Sequence, residues 1–365
     1  MNLSLRLLFF LFALLGHLAA SALADSLSEL ELERSSDLQT WQSVPVTSAM
    51  INASGKLEVP MLGATEFYRM RIRAVEPTPV PANFALIPAG AFTMGDSLDG
   101  VGDAPARTVT LDAFYMEKYE VTKAKWDDVR TWALSNGYSD LAEGAGKASN
   151  HPVQRVSWYD IAKWCNSRSQ KEGLTPVYYT DDAQTAIYKT GNVDVANTQV
   201  KWSANGYRLP TEAEWEKAAR GGLSGNRFSW GDRISHSYAN YCAATGFSYD
   251  DSAGSGYHPS STGIAPWTSP VGAFSANGYG IYDVAGNVWE WCWDWYGPYS
   301  AWNAPPYSAE SQINPRGITS GMYRVLRGGS WTNEAAAARV AVRHKFYSVF
   351  SFDYLGFRVA RSSVQ

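Results

Sequence analysis

The sequence predicts an α+β domain that is rich in loops and carries a small N-terminal β appendage. Three observations predict it. Only three segments open with a helix-capping signature, at Thr122, Ser157 and Thr211. Within residues 25–75, apolar and charged side chains alternate with the period of a strand. After residue 222 no long helical period recurs, while 31 Gly, 17 Pro and 14 % aromatics point to many turns pinned by large rings. At 45 % hydrophobic and 18 % charged, the 365 residues form a globular chain, long enough for one large domain and a small one. A net charge of −4 argues against nucleic acid as the main partner.

The elements follow in order. Arg6 precedes an apolar run over 7–15, and Ser21-Ala22-Leu23-Ala24 stands before Asp25, so residues 1–24 read as a secretory signal peptide. The run is broken at Gly16-His17 and is too short for a membrane anchor. No later stretch has the ~18 apolar residues of a membrane helix, so the mature protein is expected to be exported, periplasmic or secreted. In the β module of residues 25–75, Leu30 and Leu32 alternate with Glu29, Glu31 and Glu33, and Tyr68, Met70 and Ile72 with Arg69, Arg71 and Arg73. These are strands with one buried face and oppositely charged outer faces. A stiff Pro-rich linker covers 76–83, and the even composition of 84–361 reads as one domain.

Within that domain, Thr122 opens a helix containing Trp126, Val129 and Ala133, and Ser157 with Asp160 opens a second. Thr211 with Glu214, after Pro210, opens a third; Gly173 and Gly221 end the last two. Residues 174–202 hold three strand-like pieces around Gly191-Asn192 and are expected to form an inserted hairpin. Of the three cysteines, Cys165 falls in an apolar helical pattern as a core residue, and Cys242–Cys292 is the bridge to consider.

No Gly-x-Ser-x-Gly, His-Glu-x-x-His, Cys-x-x-Cys or Walker loop occurs, and the five histidines are scattered. The densest segment is 280–291. Glu290 lies between Trp289 and Trp291, so its carboxylate needs a partner. Calcium is one, with oxygens from Asp283, Gly286, Val288 and Glu290; an arginine is the other. The basic stretch 316–365, with Arg324, Arg327, Arg339 and Arg343, suits an anion pocket or arginines that pin loops, the second being preferred. Asp96, Asp99 and Asp103 suit a cation or a solvated loop, again the second.

FALIPAGAFTMG from Phe84, LDAFYMEKYEVT from Leu111, HPVQRVSW from His151 and YRLPTEAEWEKAARGG from Tyr207 are followed by three further motifs. These are NGYGIYDVAGNVWEWCWDWY from Asn277, RVLRGGSW from Arg324 and LGFRVAR from Leu355. Together and in this order they resemble the formylglycine-generating enzyme, or sulfatase-modifying factor, family. The resemblance implies a loop-rich, C-type-lectin-like fold. It also implies an O2-dependent oxidation of a sulfatase cysteine to formylglycine at a copper ion held by two cysteines. Following Gly328-Gly329-Ser330-Trp331, the two positions that match those cysteines are Asn333 and Ala338, neither of which supplies a soft thiolate. No catalytic residue is assigned and copper is not expected. The branch of sulfoxide synthases, with iron on histidines of an extra helical domain, is disfavoured because the appendage here is β. The resemblance supports calcium at Asp283, Gly286, Val288 and Glu290, and implies a second calcium at Asn240 and the Tyr241 carbonyl. The expectation is an exported, non-catalytic, calcium-stabilised domain. It would bind a small molecule, peptide or protein through Ser330, Trp331, Asn333, Arg339 and Arg343. The alternative is an oxidoreductase of the formylglycine-generating type with altered metal ligands or substrate.

Overall fold

Capping chemistry sets the three helices. A computed structural model describes residues 3–4, 30–44, 58–59, 67–72, 80–100, 104–252, 254–297 and 312–363. Most of the leader, linker residues 76–79 and Asp103 lie outside them. The chain divides between Pro79 and Val80 into two units.

In the first unit β1 (Leu3–Ser4) pairs with β4 (Glu58–Val59), and β2 (Leu30–Ser35) lies between β3 (Gln42–Val44) and β5 (Phe67–Ile72). The β2–β5 register sets Glu31 opposite Arg71, Leu32 opposite Met70 and Glu33 opposite Arg69. This register keeps the alternation of the two strands in step along the ladder.

In the second unit, α1 (Lys123–Leu134) starts where Thr122 Oγ1 accepts the Lys125 amide at 3.2 Å. Helix α2 (Trp158–Lys171) has a full capping box, with Asp160 returning a bond to the Ser157 amide at 3.0 Å. Helix α3 (Glu212–Arg220) has the Thr211–Glu214 box and stops at Gly221, whose φ of +58° and close approach to Gly278 both need glycine. Among the described residues the second unit also holds three sheets. One has the order β15 (Ala360–Ser362), β9 (Phe114–Glu117), β6 (Phe84–Ile87); another runs β11 (Gln312–Ile313), β8 (Arg107–Leu111), β7 (Gly90–Met94). The third runs β13 (His344–Phe346), β12 (Arg324–Arg327), β10 (Trp289–Trp295), β14 (Leu355–Gly356). All seven residues of β10 are buried. Such a strand has no polar alternation, which hides it from pattern reading.

The core is aromatic. Trp126 and Trp164 stack at 5.7 Å, and Phe357 meets both edge-on at 6.0 and 5.4 Å. The Phe357 segment is held between earlier ones: its carbonyl accepts from Val121, and the Val359 and Ala360 carbonyls accept from Glu117 and Arg208, at 2.9–3.0 Å.

Two expectations are corrected. Residues 174–202 form isolated bridges, Tyr178–Val200 and Tyr179–Ile187, and no regular hairpin. The buried Asn166 side chain replaces a ladder there, donating to the Tyr178 and Tyr188 carbonyls and accepting from the Val177 and Tyr178 amides. Cys242 and Cys292 are both free, and Cys292 is fully buried on β10. Cys165 is buried in the aromatic core. Its thiol pKa is pushed up by burial.

Candidate functional site

Three loops meet through backbone bonds. The Gly286 amide donates to the Gly328 carbonyl at 2.8 Å, Asn287 to Asn240 at 2.7 Å, and Trp331 to Asn287 at 2.9 Å. Gly286 has φ +80°, and a Cβ there would stand 2.1 Å from the Asn240 carbonyl oxygen, so only glycine admits this approach. Asp283 and Asn287 are also left-handed, at φ 55° and 59°, a region that short polar side chains tolerate.

The predicted calcium residues separate by chemistry. Glu290 is fully buried, and both of its oxygens are engaged: Arg358 Nε and Nη2 donate to them at 2.6 Å each and Trp215 Nε1 at 2.7 Å. Of the two partners open to Glu290, the geometry provides the arginine. Asp283 is different. One oxygen accepts from the Gly272 amide, while Oδ1 is buried with no partner. Burial raises its pKa to about 6, against the lowering influence of the Gly272 bond and Arg358.

Asn240 Oδ1 is likewise buried without a partner, its Nδ2 donating to the Trp267 carbonyl at 2.8 Å. The Tyr241 carbonyl faces His236 Nε2 at 3.1 Å, and the Val288 amide points at Glu120. Glu120 was not apparent from the sequence. It is buried, accepts from Asn287 Nδ2 at 2.6 Å, and has a pKa raised well above the usual range by burial, then by the Asp283 and Glu290 charges. Three carboxylates thus surround one guanidinium. Two buried oxygens, Asp283 Oδ1 and Asn240 Oδ1, are donors of the hard type calcium takes, whereas the Glu290 carboxylate is already occupied. Among the described residues no three His, Cys, Asp or Glu side chains converge for a metal, so such an ion would rely on carbonyls.

Four of the five residues expected to contact a ligand are buried. Ser330 and Trp331 are buried, and only Asn333 keeps part of its surface. Asn333 Oδ1 accepts from Trp289 Nε1 at 2.8 Å and from Ser330 Oγ at 2.6 Å. Ala338 is buried beside Phe228 and Tyr241 in an apolar cluster. Arg339, one of the ligand candidates, is ion-paired with Asp96 at 2.8 Å and Asp99 at 3.2 Å, the loop-pinning arrangement preferred for this basic stretch. Asp96 is therefore buried, not a solvated loop residue. Arg343 is buried against Glu212, its Nη2 2.7 Å from Oε2. Cys242 comes unexpectedly close, its amide donating to the Asn333 carbonyl at 2.9 Å. Its thiol pKa is pushed up by burial and by Glu334.

Next to this site is a chain of buried ions that the sequence did not reveal. Arg327 donates to the Val340, Ala341 and Val342 carbonyls at 2.8–2.9 Å and pairs with Glu216, which also holds Arg220 at 2.7 Å. The signal was present as Glu212 and Glu216, one helical turn apart, facing an excess of C-terminal arginine.

The sulfatase-modifying factor enzyme 1-like domain matches residues 72–363. The chain is 35 % identical over 292 residues to "Chaperone protein LppX" of Paenibacillus barcinonensis, covering 78 % of this chain and 91 % of the relative. It is 34 % identical over 307 residues to the formylglycine-generating enzyme of Bos taurus, covering 78 % and 75 %. To the "Inactive C-alpha-formylglycine-generating enzyme 2" of Bos taurus it is 31 % identical over 300 residues, covering 76 % and 87 %. The solved structure of Treponema denticola variable protein 1 shares the fold at a TM-score of 0.57 with 27 % identity, over 83 % of this chain and 98 % of that one. The chain therefore belongs to the sulfatase-modifying factor family, whose members include formylglycine-generating oxidases and relatives named as inactive.

Proposed function

We propose that this family member is an exported, non-catalytic, calcium-stabilised binding domain. One observation carries the reading: the positions that match the copper cysteines hold an amide and a methyl group. The Asn333 amide oxygen is satisfied by Trp289 and Ser330, and Ala338 packs in an apolar cluster. Copper(I) needs soft thiolates there. What surface remains for a ligand centres on Asn333, with Glu334 exposed beside it.

The purified protein, incubated with copper(I) and desalted, is expected to retain none in stoichiometric amount by elemental analysis. The Asn333→Cys/Ala338→Cys double variant is expected to retain about one equivalent, because the two positions would then supply the soft thiolates that copper(I) takes. Stoichiometric copper on the unaltered protein defeats the reading.

The alternative, an oxidoreductase with altered ligands, is favoured by the Cys242 amide bonded to Asn333. Copper held by the unaltered protein and lost in Cys242→Ser would establish it. A protonated thiol is a poor ligand, and the raised Cys242 pKa weighs against this course.

For calcium, Asp283 and Asn240 are the side chains that would hold the ion, with loop carbonyls completing the shell. Asp283→Asn should stabilise the calcium-free protein at pH 7.5, on the order of 1–3 kcal/mol, because a costly buried charge disappears. The same variant should lose the rise in melting temperature that calcium gives the parent. Equal calcium responses in parent and variant, by differential scanning fluorimetry, would remove Asp283 from the site.

A further inference from the structure

A cavity of about 290 Å3 opens between the β8–β9 turn, residues 202–203, the start of α3 and residues 314–316. It shares no residue with the loops that meet at Asn333. Its chemistry is asymmetric. The Arg316 guanidinium lies 4.3 Å from the Trp202 ring and has no hydrogen-bonded or ion-paired carboxylate among the described residues. The other cation of the wall, Arg208, is neutralised by Glu214 through bonds of 2.6 and 2.7 Å, and only its buried Nε lacks a partner. Burial and then the neighbouring Arg208 charge lower the pKa of Arg316 by more than the Glu214 charge raises it. Asp112 is held by Asn314, with bonds of 2.9 and 2.8 Å, and makes none to Arg316. Leu111, Phe114 and Pro315 supply apolar wall.

We infer that this cavity binds a small apolar monocarboxylate, with the Arg316 fork taking the carboxylate and Trp202, Phe114 and Pro315 enclosing the body. An arginine resting on an aromatic face is pre-organised for a planar carboxylate. The volume admits one ring or a short branched chain. Glu214 and Asp112 in the same wall repel a dianion, so phosphate is the poorer fit.

A free organic acid and the carboxyl end of a peptide offer the same chemistry. The test therefore titrates the full chain by calorimetry with benzoate and with N-acetylphenylalanine, each against its neutral amide, and with inorganic phosphate. At least one acid is expected to bind about tenfold more tightly than its amide, and phosphate more weakly than that acid. Which acid binds better assigns the source. Arg316→Gln should weaken the acid about tenfold, and Ser203→Asp, which adds charge at the exposed rim, should weaken it too. Arg233→Gln, removing an arginine from a surface pair with Asp251, should leave binding unchanged. Arg316 makes no polar bond that folding would miss, and unchanged melting temperatures check that each variant is folded. The inference falls if acid and amide bind alike, if neither acid binds at about 20 mM, or if Arg316→Gln and Ser203→Asp bind like the parent.

Discussion

Replacing Arg358 with methionine is expected to cost the folded domain about 3–5 kcal/mol and to lower its melting temperature by at least about 6 °C. Arg358 is fully buried, pairs with Glu290 through two bonds, and donates further to the Lys118 and Tyr282 carbonyls at 3.1 and 2.9 Å. Its removal leaves Glu120, Asp283 and Glu290 without a cation whose charge acts on all three. Methionine fills the volume, so the loss measures uncompensated charge and orphaned carbonyls instead of a void.

The sign of its pH dependence follows. A carboxyl whose folded pKa is raised destabilises when ionised, so that cost is absent below its unfolded pKa and grows as pH rises through the folded one. Losing Arg358 raises the pKa of Asp283 further in the variant, so the deficit of Arg358→Met should be largest above neutral pH and shrink as pH falls toward 6, where Asp283 of the parent takes up its own proton. Thermal melts across that window check it, and a flat deficit would mean the carboxylates do not respond as a group. Glu290→Leu placed on top of Arg358→Met should return part of the loss, since the two act through one pair.

Arg327→Met is expected to destabilise by a similar amount, about 3–5 kcal/mol in urea melts. The cause is different. Arg327 closes a loop by donating to three successive carbonyls, Val340, Ala341 and Val342, while its other side meets Glu216. Burial works to raise the Glu216 pKa, and the Arg220 and Arg327 charges overcome it, leaving the carboxyl below its usual range. Lysine cannot present several donors in one plane, so Arg327→Lys should recover less than half of the loss. If lysine restored full stability, charge alone would explain the site and the carbonyl fork would not matter.

The helices were legible in the sequence because each begins with a chemical device contained in four residues: Thr122, Ser157 with Asp160, and Thr211 with Glu214. The β2–β5 ladder was legible because one face of it alternates. β10 was not, since Trp289–Trp295 is buried on both faces and carries no periodic signal. The candidate site divides the same way. That Glu290 must have a partner followed from the two tryptophans beside it; that the partner is Arg358 depends on a segment 68 residues away. Glu120 was invisible for the same reason, because its environment comes from residues 283–290. Arg339 and Arg343 were readable as basic, but their acids, Asp96 and Glu212, lie far back in the chain. Local chemistry is written locally, and ion pairs in a loop-built fold are not.

The Phe357 segment also says something about the order in which this protein can be completed. Its partners at Glu117, Val121, Arg208 and Glu290 all precede it in the chain, so each has been synthesised and is waiting when residues 355–362 emerge. Until then Trp126 and Trp164 lack the ring that closes over them, and three buried carboxylates have no guanidinium. Contacts of such long sequence separation form late. A nascent chain of this design cannot close its aromatic core until residues 355–362 have been made.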